Sequence, residues 1–372
     1  MSPPLSTIIR PGNRSLLFSD DVLEQFREGE VPVTMLEGSR LQTAPIQLAA
    51  AGPSDAHTIE ELPTYLAGYK QSALVADVIS PMWGVPNLTG IYRKMDLQNV
   101  FRRVNVRAGF QDPVPEIGVG SSTAQFSCTV RFCGAFVDRI SEANATAYSP
   151  LQQSGKRAAN AIMLDRELAV WSLATTLGSW HASFRTTLGA SAHWRTGTAS
   201  APIDDLRSAA RASYGQGLHR IWVNPTGADA FFDHPQVREW YKFHVGDRGL
   251  AELARMRAIQ GMDSHFTFDI PQIGTLCVAP GRVYNESTGA LDYILQNDVV
   301  MEWGDNSVPT DGETLHTFKT ARFNGLAGVG LETRRFQVPN RGPGGGEMIV
   351  VAIACIELVT GNQIGKLIKA AY

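Results

Sequence analysis

A chain of 372 residues that is 44% apolar, 19% charged and 9% aromatic has a globular make-up, which excludes a disordered, collagen-like or coiled-coil chain and leaves room for two or three domain-sized units. Thirty-three Lys and Arg against 36 Asp and Glu, a formal charge of −3, lack the basic excess of a protein held mainly by nucleic-acid phosphates. The charged fraction is below the usual quarter or so, which favours burial between subunits.

The opening MSPPLSTIIRPGN has no cationic start followed by an apolar signal core. The longest apolar run, Met348 to Ile356, is about half a membrane span, so a cytoplasmic, reducing setting is expected. Prolines at 3, 4, 11, 32, 45, 53, 63 and 81 interrupt every periodic segment of the first eighty residues, which therefore read as an arm. One short helix survives there. Ser19 caps it, Asp20 and Asp21 suit its positive end, Val22, Leu23 and Phe26 form its apolar face, and Gly29 ends it. So short a face needs something to dock on, its own core or a neighbouring subunit.

From Thr89 to Val130 the pattern is extended, with Ile91, Tyr92, Val100, Phe101, Val104 and Val106 before a turn-rich stretch, then Phe126, Cys128 and Val130. This reads as a long hairpin. Its outgoing half carries Arg93, Lys94, Arg102, Arg103 and Arg107 against Asp96 alone, whereas Ile117 to Val130 is uncharged. The plain reading is a basic edge strand guarded against aggregation; the sharper one is an inter-subunit loop.

Gly155 to about Leu177 is helical, with Ala161, Leu164, Leu168 and Trp171 on one row and Ala158, Ile162, Ala169 and Leu173 on adjacent ones. A helix apolar over half its girth packs on two sides, which leaves Asp165, Arg166 and Glu167 on the remaining strip. An α/β alternation follows: helix 203–214, strand 218–223, a helix near 226–232, a helical pattern over 249–259, and short strands at 275–279, 283–284, 293–295 and 299–302. The last tract, 318–338 and 347–358, is strand-like around a Gly-Pro loop and returns to the middle of the chain.

Little in the sequence demands chemistry. PNRGPGGG at 339–346 lacks the Lys-Ser or Lys-Thr pair of a nucleotide loop and reads as a turn, and Gly325, Gly328 and Gly330 have the wrong spacing for a dinucleotide fingerprint. Cys128 and Cys133 fall on opposite faces if TVRFC is a strand, and no two histidines stand three or four apart on a helix face, so neither a disulfide framework nor a metal site is expected. No catalytic or cofactor-binding residue is assigned. The dispersed tryptophans read as core and interface anchors, and Asp204-Asp205 as helix-start charges.

The order of parts resembles the tailed-bacteriophage major capsid proteins of the Hong Kong ninety-seven type. The resemblance is carried by LPTYLAGYKQSALVADVISPMWGVPNLTGIYRK entering the hairpin, FSCTVRFCGAFVDRISEANA leaving it, KRAANAIMLDRELAVW as a long helix, and LHRIWVNPTGADAFFDHPQV beyond it. It implies an α+β phage major capsid fold: an N-terminal arm over 1–80, an extended β-hairpin loop over 81–130, a peripheral domain with a long spine helix over 131–202, an axial α/β domain over 203–335, and a C-terminal return to the peripheral domain over 336–372. It further implies no enzyme and no cofactor, but a virion protein assembled in the host bacterial cytoplasm. Its partner is itself, in pentamers and hexamers that enclose double-stranded DNA without reading its sequence. Portal, scaffolding and decoration proteins are the other expected partners, and no membrane is involved.

The candidate inter-subunit contacts are Asp20, Asp21, Glu24 and Phe26 on the acidic arm helix and Arg93, Arg102, Arg103 and Arg107 on the basic strand, which would meet between subunits. Trp83 and Phe110 join them as anchors at the base and tip of the hairpin. Two alternatives stand beside this reading: an encapsulin-like compartment shell, and an α/β enzyme centred on Asp233, His234, His244 and Asp247.

Overall fold

The computed structural model describes residues 74–94, 122–144, 149–197, 199–213, 219–245, 267–304, 316–326, 331–339 and 345–372, together with Arg341 and two short strands. Those strands, β1 (Met35–Glu37) and β2 (Arg40–Gln42), pair antiparallel. The arm helix and the helical pattern at 249–259 lie outside the described residues.

The longest helix, which starts five residues earlier than its periodicity predicts, is Pro150–Thr175. Ser149 Oγ caps it by accepting from the Gln152 N–H, and Pro150 occupies the first turn, where a missing N–H costs nothing. The same proline start opens helices Pro202–Ala212, Pro225–Asp233 and Pro235–Val245. With the short helices Ala76–Ile79 and Arg139–Asn144, these six are named α1 (Ala76–Ile79), α2 (Arg139–Asn144), α3 (Pro150–Thr175), α4 (Pro202–Ala212), α5 (Pro225–Asp233) and α6 (Pro235–Val245).

Two sheets flank α3. In the first, the fourteen-residue strand β16 (Gly346–Val359) is the spine. One of its edges takes β6 (Thr129–Asp138), and the other takes β15 (Glu332–Val338) and then β14 (Phe318–Phe323), to which β3 (Met82–Val85) adds in parallel. The tract 318–338, read as one strand-like run, is thus two strands that meet β16 at different heights. Ile349, Val351, Ile353 and Cys355 alternate onto one face of β16 and pack with Val137 of β6 against Leu151, Ala158, Ala159 and Ile162 of α3. That alternation is the period of two that a sheet face requires.

The second sheet has six strands, in the order β7 (Arg185–Thr187), β17 (Lys366–Lys369), β13 (Val299–Glu302), β8 (His219–Val223), β10 (Gly274–Val278) and β9 (Thr267–Ile270). Its pleat divides two cores. Ile221, Val223, Leu276, Val278, Val299, Met301 and Ile368 face α4, α5 and α6. Trp222, Cys277, Val300 and Leu367 face the other way, onto Val170, Trp171 and Ala174 of α3. Trp171 and Trp222 meet edge to face with ring centroids 6.0 Å apart, a geometry aromatic quadrupoles favour. A further hairpin, β11 (Arg282–Asn285) with β12 (Ala290–Tyr293), joins neither sheet.

Several sequence expectations are corrected. Asp165 is exposed, but Arg166 and Glu167 are buried, because the buried seam of α3 runs through Ala158, Ile162, Arg166, Val170 and Ala174 while Ala161 is exposed. Polar partners from α1 compensate the two charges. β16 belongs to the first sheet, whereas β17 enters the six-stranded sheet between β13 and β7. β7 belongs to that sheet too. Helix α6 has no counterpart in the sequence reading; its tight joint with α5 at His234 leaves no turn signal, only Pro235.

Candidate assembly surface

The chain leaves β3 through a Pro86-Asn87 turn into β4 (Thr89–Lys94), which pairs antiparallel with β5 (Ser122–Ser127) from Thr89↔Ser127 to Lys94↔Ser122. This is the base of the hairpin read from the sequence; residues 95–121 lie outside the described residues. Alternation sets its two faces. Gly90, Tyr92, Ala124 and Phe126 turn inward, and Thr89, Ile91, Arg93, Thr123 and Gln125 are exposed.

The inner face is nailed to the body. Phe126 meets Trp83 edge-on at 6.4 Å and Tyr92 at 6.5 Å, and all three join Val85, Cys128, Ala321 and Leu358 in one cluster. Gly90 stands opposite Phe126 in register, and a methyl group there would overlap the Phe126 ring. Lys319 Nζ lies 5.8 Å from the Trp83 ring centroid, within cation–π range. Trp83 is 7% exposed and packs against the hairpin from inside its own chain. Burial raises the Cys128 thiol to about 11, which keeps it a packing group rather than a nucleophile.

Among the described residues nothing covers the outer face. Ile91 is 68% exposed, Arg93 lies beside it on the same face, and among the described residues no third strand pairs with β4 or β5. Two-stranded ribbons are marginal alone in water, and unpaired edges invite another chain. A second exposed apolar pair sits on the free hairpin β11–β12, where Tyr284 and Leu291 stand directly opposite each other.

Of the other candidate contacts, Asp20, Asp21, Glu24, Phe26, Arg102, Arg103, Arg107 and Phe110 lie outside the described residues. Among the described residues of the enzyme alternative, His234 and His244 do not converge. His234 and His244 sit at opposite ends of α6, ~15 Å apart at helical rise. His234 Nδ1 accepts the Gln236 N–H, and His244 stacks on Trp240 at 4.3 Å; Asp247 is outside the described residues. Among the described residues no group of three His, Cys, Asp or Glu side chains is placed to hold a metal ion, and no helix is long and apolar enough to cross a membrane.

What sequence reading missed is a buried polar belt behind the hairpin's root. Glu167 Oε2 accepts the N–H groups of Val75 (3.0 Å) and Ala76 (2.6 Å), and Oε1 accepts the Trp171 indole N–H at 2.6 Å. Arg166 pairs with Asp77 and donates to the Ser80 carbonyl at 2.9 Å. Arg131 makes a two-pronged bond to Glu357, at 2.9 and 2.7 Å, and reaches Asp165 on α3. The available signal was Arg166 and Glu167 inside the mainly apolar stretch 158–174 of the helix, where burial requires charges to be partnered.

No family model matches the sequence, and no curated protein matches it. Solved structures do. A phage-related protein from Bordetella bronchiseptica RB50 superposes with a TM-score of 0.61 at 17% identity, covering 85% of this chain and 98% of that one. A putative capsid protein of a prophage of E. coli CFT073 gives 0.51 at 12% identity, over 84% and 99%. The capsid of a native GTA particle gives 0.48 at 10% identity, over 82% and 92%. By its likeness to the first two, the chain has a phage capsid-type fold over most of its length.

Proposed function

We propose that this chain is the major capsid protein of a tailed bacteriophage, of the Hong Kong ninety-seven type, which assembles through pentamers and hexamers into an icosahedral shell around double-stranded DNA. The observation that carries the reading is a capsid-type fold bearing a two-stranded hairpin fixed at its root and uncovered on its outer face. Such a projection adds contact area without enlarging the core, and symmetry multiplies weak contacts into a stable particle. The acidic run with Asp20, Asp21 and Glu24, expected from the sequence as an arm helix, and the basic run with Arg93, Arg102, Arg103 and Arg107, expected as a strand, suit each other in charge as a contact between subunits. Exposed pairs are worth about 0–1 kcal/mol each, so they set register more than strength. In this reading the protein resides in the virion, with portal and scaffolding proteins as its assembly partners.

Light scattering and negative-stain microscopy of the purified chain at near-physiological salt test this. Shells, or free pentamers and hexamers, are expected, and reversal of Arg102 and Arg103 to Glu lowers particle yield while the subunit still folds. A monomer or dimer that resists assembly even with its phage co-factors overturns the reading. Shells that enclose protein cargo in place of DNA overturn the viral role and leave the capsid fold standing.

A further inference from the structure

The segment Val75–Ser80, which carries α1 and leads directly into β3 and the hairpin, is held to the body at several points. Glu167 and Arg166 hold it from α3. From the six-stranded sheet, Arg220 of β8 donates its Nη1–H to the Val78 carbonyl at 2.9 Å. Behind Arg220 stands Glu302, the last residue of β13, 3.6 Å from the guanidinium Nε. The Glu302 side chain is 2% exposed and accepts the Trp222 indole N–H at 2.8 Å. Arg220 thus spans from an enclosed carboxylate to the backbone of a surface helix.

We propose that Glu302, Arg220 and Val78 form a proton-sensitive latch on the hairpin's root. The ionised Glu302 carboxylate orients the guanidinium so that Nη1 points at the Val78 carbonyl; when Glu302 takes up a proton, Arg220 loses that orienting charge and the hold on Val75–Ser80 slackens. The latch is a property of the single subunit and holds whether or not the chain builds a shell.

Burial pushes the Glu302 carboxyl up from 4.5 to about 7, against the pull of Arg220 and the Trp222 bond, so its proton is exchanged near neutrality. The groups around it are accounted for. On β8, burial lowers the His219 pKa against a hydrogen bond to the Glu302 backbone, and its Nε2 lies 3.1 Å from Ser213 Oγ. On β10 the Cys277 thiol is pushed up to about 12 by burial and by Glu302. Lys366 of β17 is in register with the neighbouring Met301, and His316 bridges to Gly304 two residues on. Glu167, on the other anchor, is also raised by burial, so the assignment to Glu302 needs its own variant.

Hydrogen–deuterium exchange of the unassembled chain, corrected for intrinsic rates, decides. Between about pH 8 and pH 6 the amides of Val78, Ile79 and Ser80 should exchange about tenfold faster, the size of an ordinary coupling between sites. Glu302→Gln keeps an acceptor for Trp222 but no charge, and should show the fast rate at both pH values. Arg220→Lys, which loses the fork, should do the same. A wild-type rate that does not change with pH overturns the latch, and this arm stands even if a variant fails to fold. So does a Glu302→Gln chain that keeps the pH dependence, which would transfer it to Glu167.

Discussion

Ala76 donates its backbone N–H to Glu167 Oε2 at 2.6 Å, across 91 residues of sequence. That bond ties the first turn of α1 to the middle of α3. Because the same carboxylate also receives Val75 and Trp171, it satisfies three buried donors at once, and the cost of enclosing a charge is met by hydrogen bonds rather than by water.

Removal of that carboxylate should be expensive. Glu167→Ala leaves three donors without an acceptor and is expected to lower stability by roughly 3–5 kcal/mol, whereas Glu167→Gln, which keeps one oxygen, costs roughly 1–3 kcal/mol. Urea unfolding of the unassembled chain measures both; equal losses would show that the charge, not its acceptors, matters.

Glu302 gives stability a pH dependence of definite sign. Its folded pKa, about 7, lies above the ordinary 4.5, so the folded state binds more protons between those values. Its contribution is fully present below about 4.5 and is lost as pH rises to about 7, by roughly 3 kcal/mol in all. Thermal melts across that window should fall with rising pH, and Glu302→Gln should flatten this component. The latch runs the other way, since ionisation tightens the local contact while it weakens the whole fold.

Tyr372 closes the core beneath α5. Its hydroxyl donates to the Gln296 carbonyl at 2.8 Å and accepts the Asn224 N–H at 3.2 Å, and its ring occupies the space a Gly227 methyl group would need. Gly227→Ala should therefore destabilise by about 1–3 kcal/mol through overpacking, and Tyr372→Ala by about 3–5 kcal/mol through the cavity it leaves. In Tyr372→Ala the Gly227→Ala change should lose most of its cost, a coupling that a double-mutant cycle in urea reads directly.

On the outer face of β4, Ile91→Lys removes an exposed apolar group without touching the Trp83–Phe126 cluster. It should leave unfolding midpoints within about 0.5 kcal/mol of wild type and reduce assembly. Normal particle yield from this variant would exclude the hairpin's outer face as a subunit contact.

How much of this was legible in the sequence depends on the range of the interactions involved. The start of the hairpin at Thr89, the long helix, and strands β8 and β13 follow from local pattern, because periodicity acts over a few residues. Alternation alone assigns Ile221 and Trp222 to opposite faces. Which face met which layer was decided only in three dimensions: whether Ala161 or Ala158 lies on the buried seam of α3 depends on what packs there, and the pattern is apolar on both rows. Arg166, Glu167, Arg220 and Glu302 look like ordinary surface charges in one dimension. The burial of Arg166, Glu167 and Glu302 and the partial burial of Arg220 go with partners as far as 80 to 154 residues away, a separation that no local rule reaches. The same holds for β17, whose place between β13 and β7 is fixed by pairing across the sheet. Composition and periodicity thus determined the long helix, the base of the hairpin and the best-patterned strands, and tertiary packing determined the remaining elements' places, which charges are enclosed and which face of the described hairpin is left open.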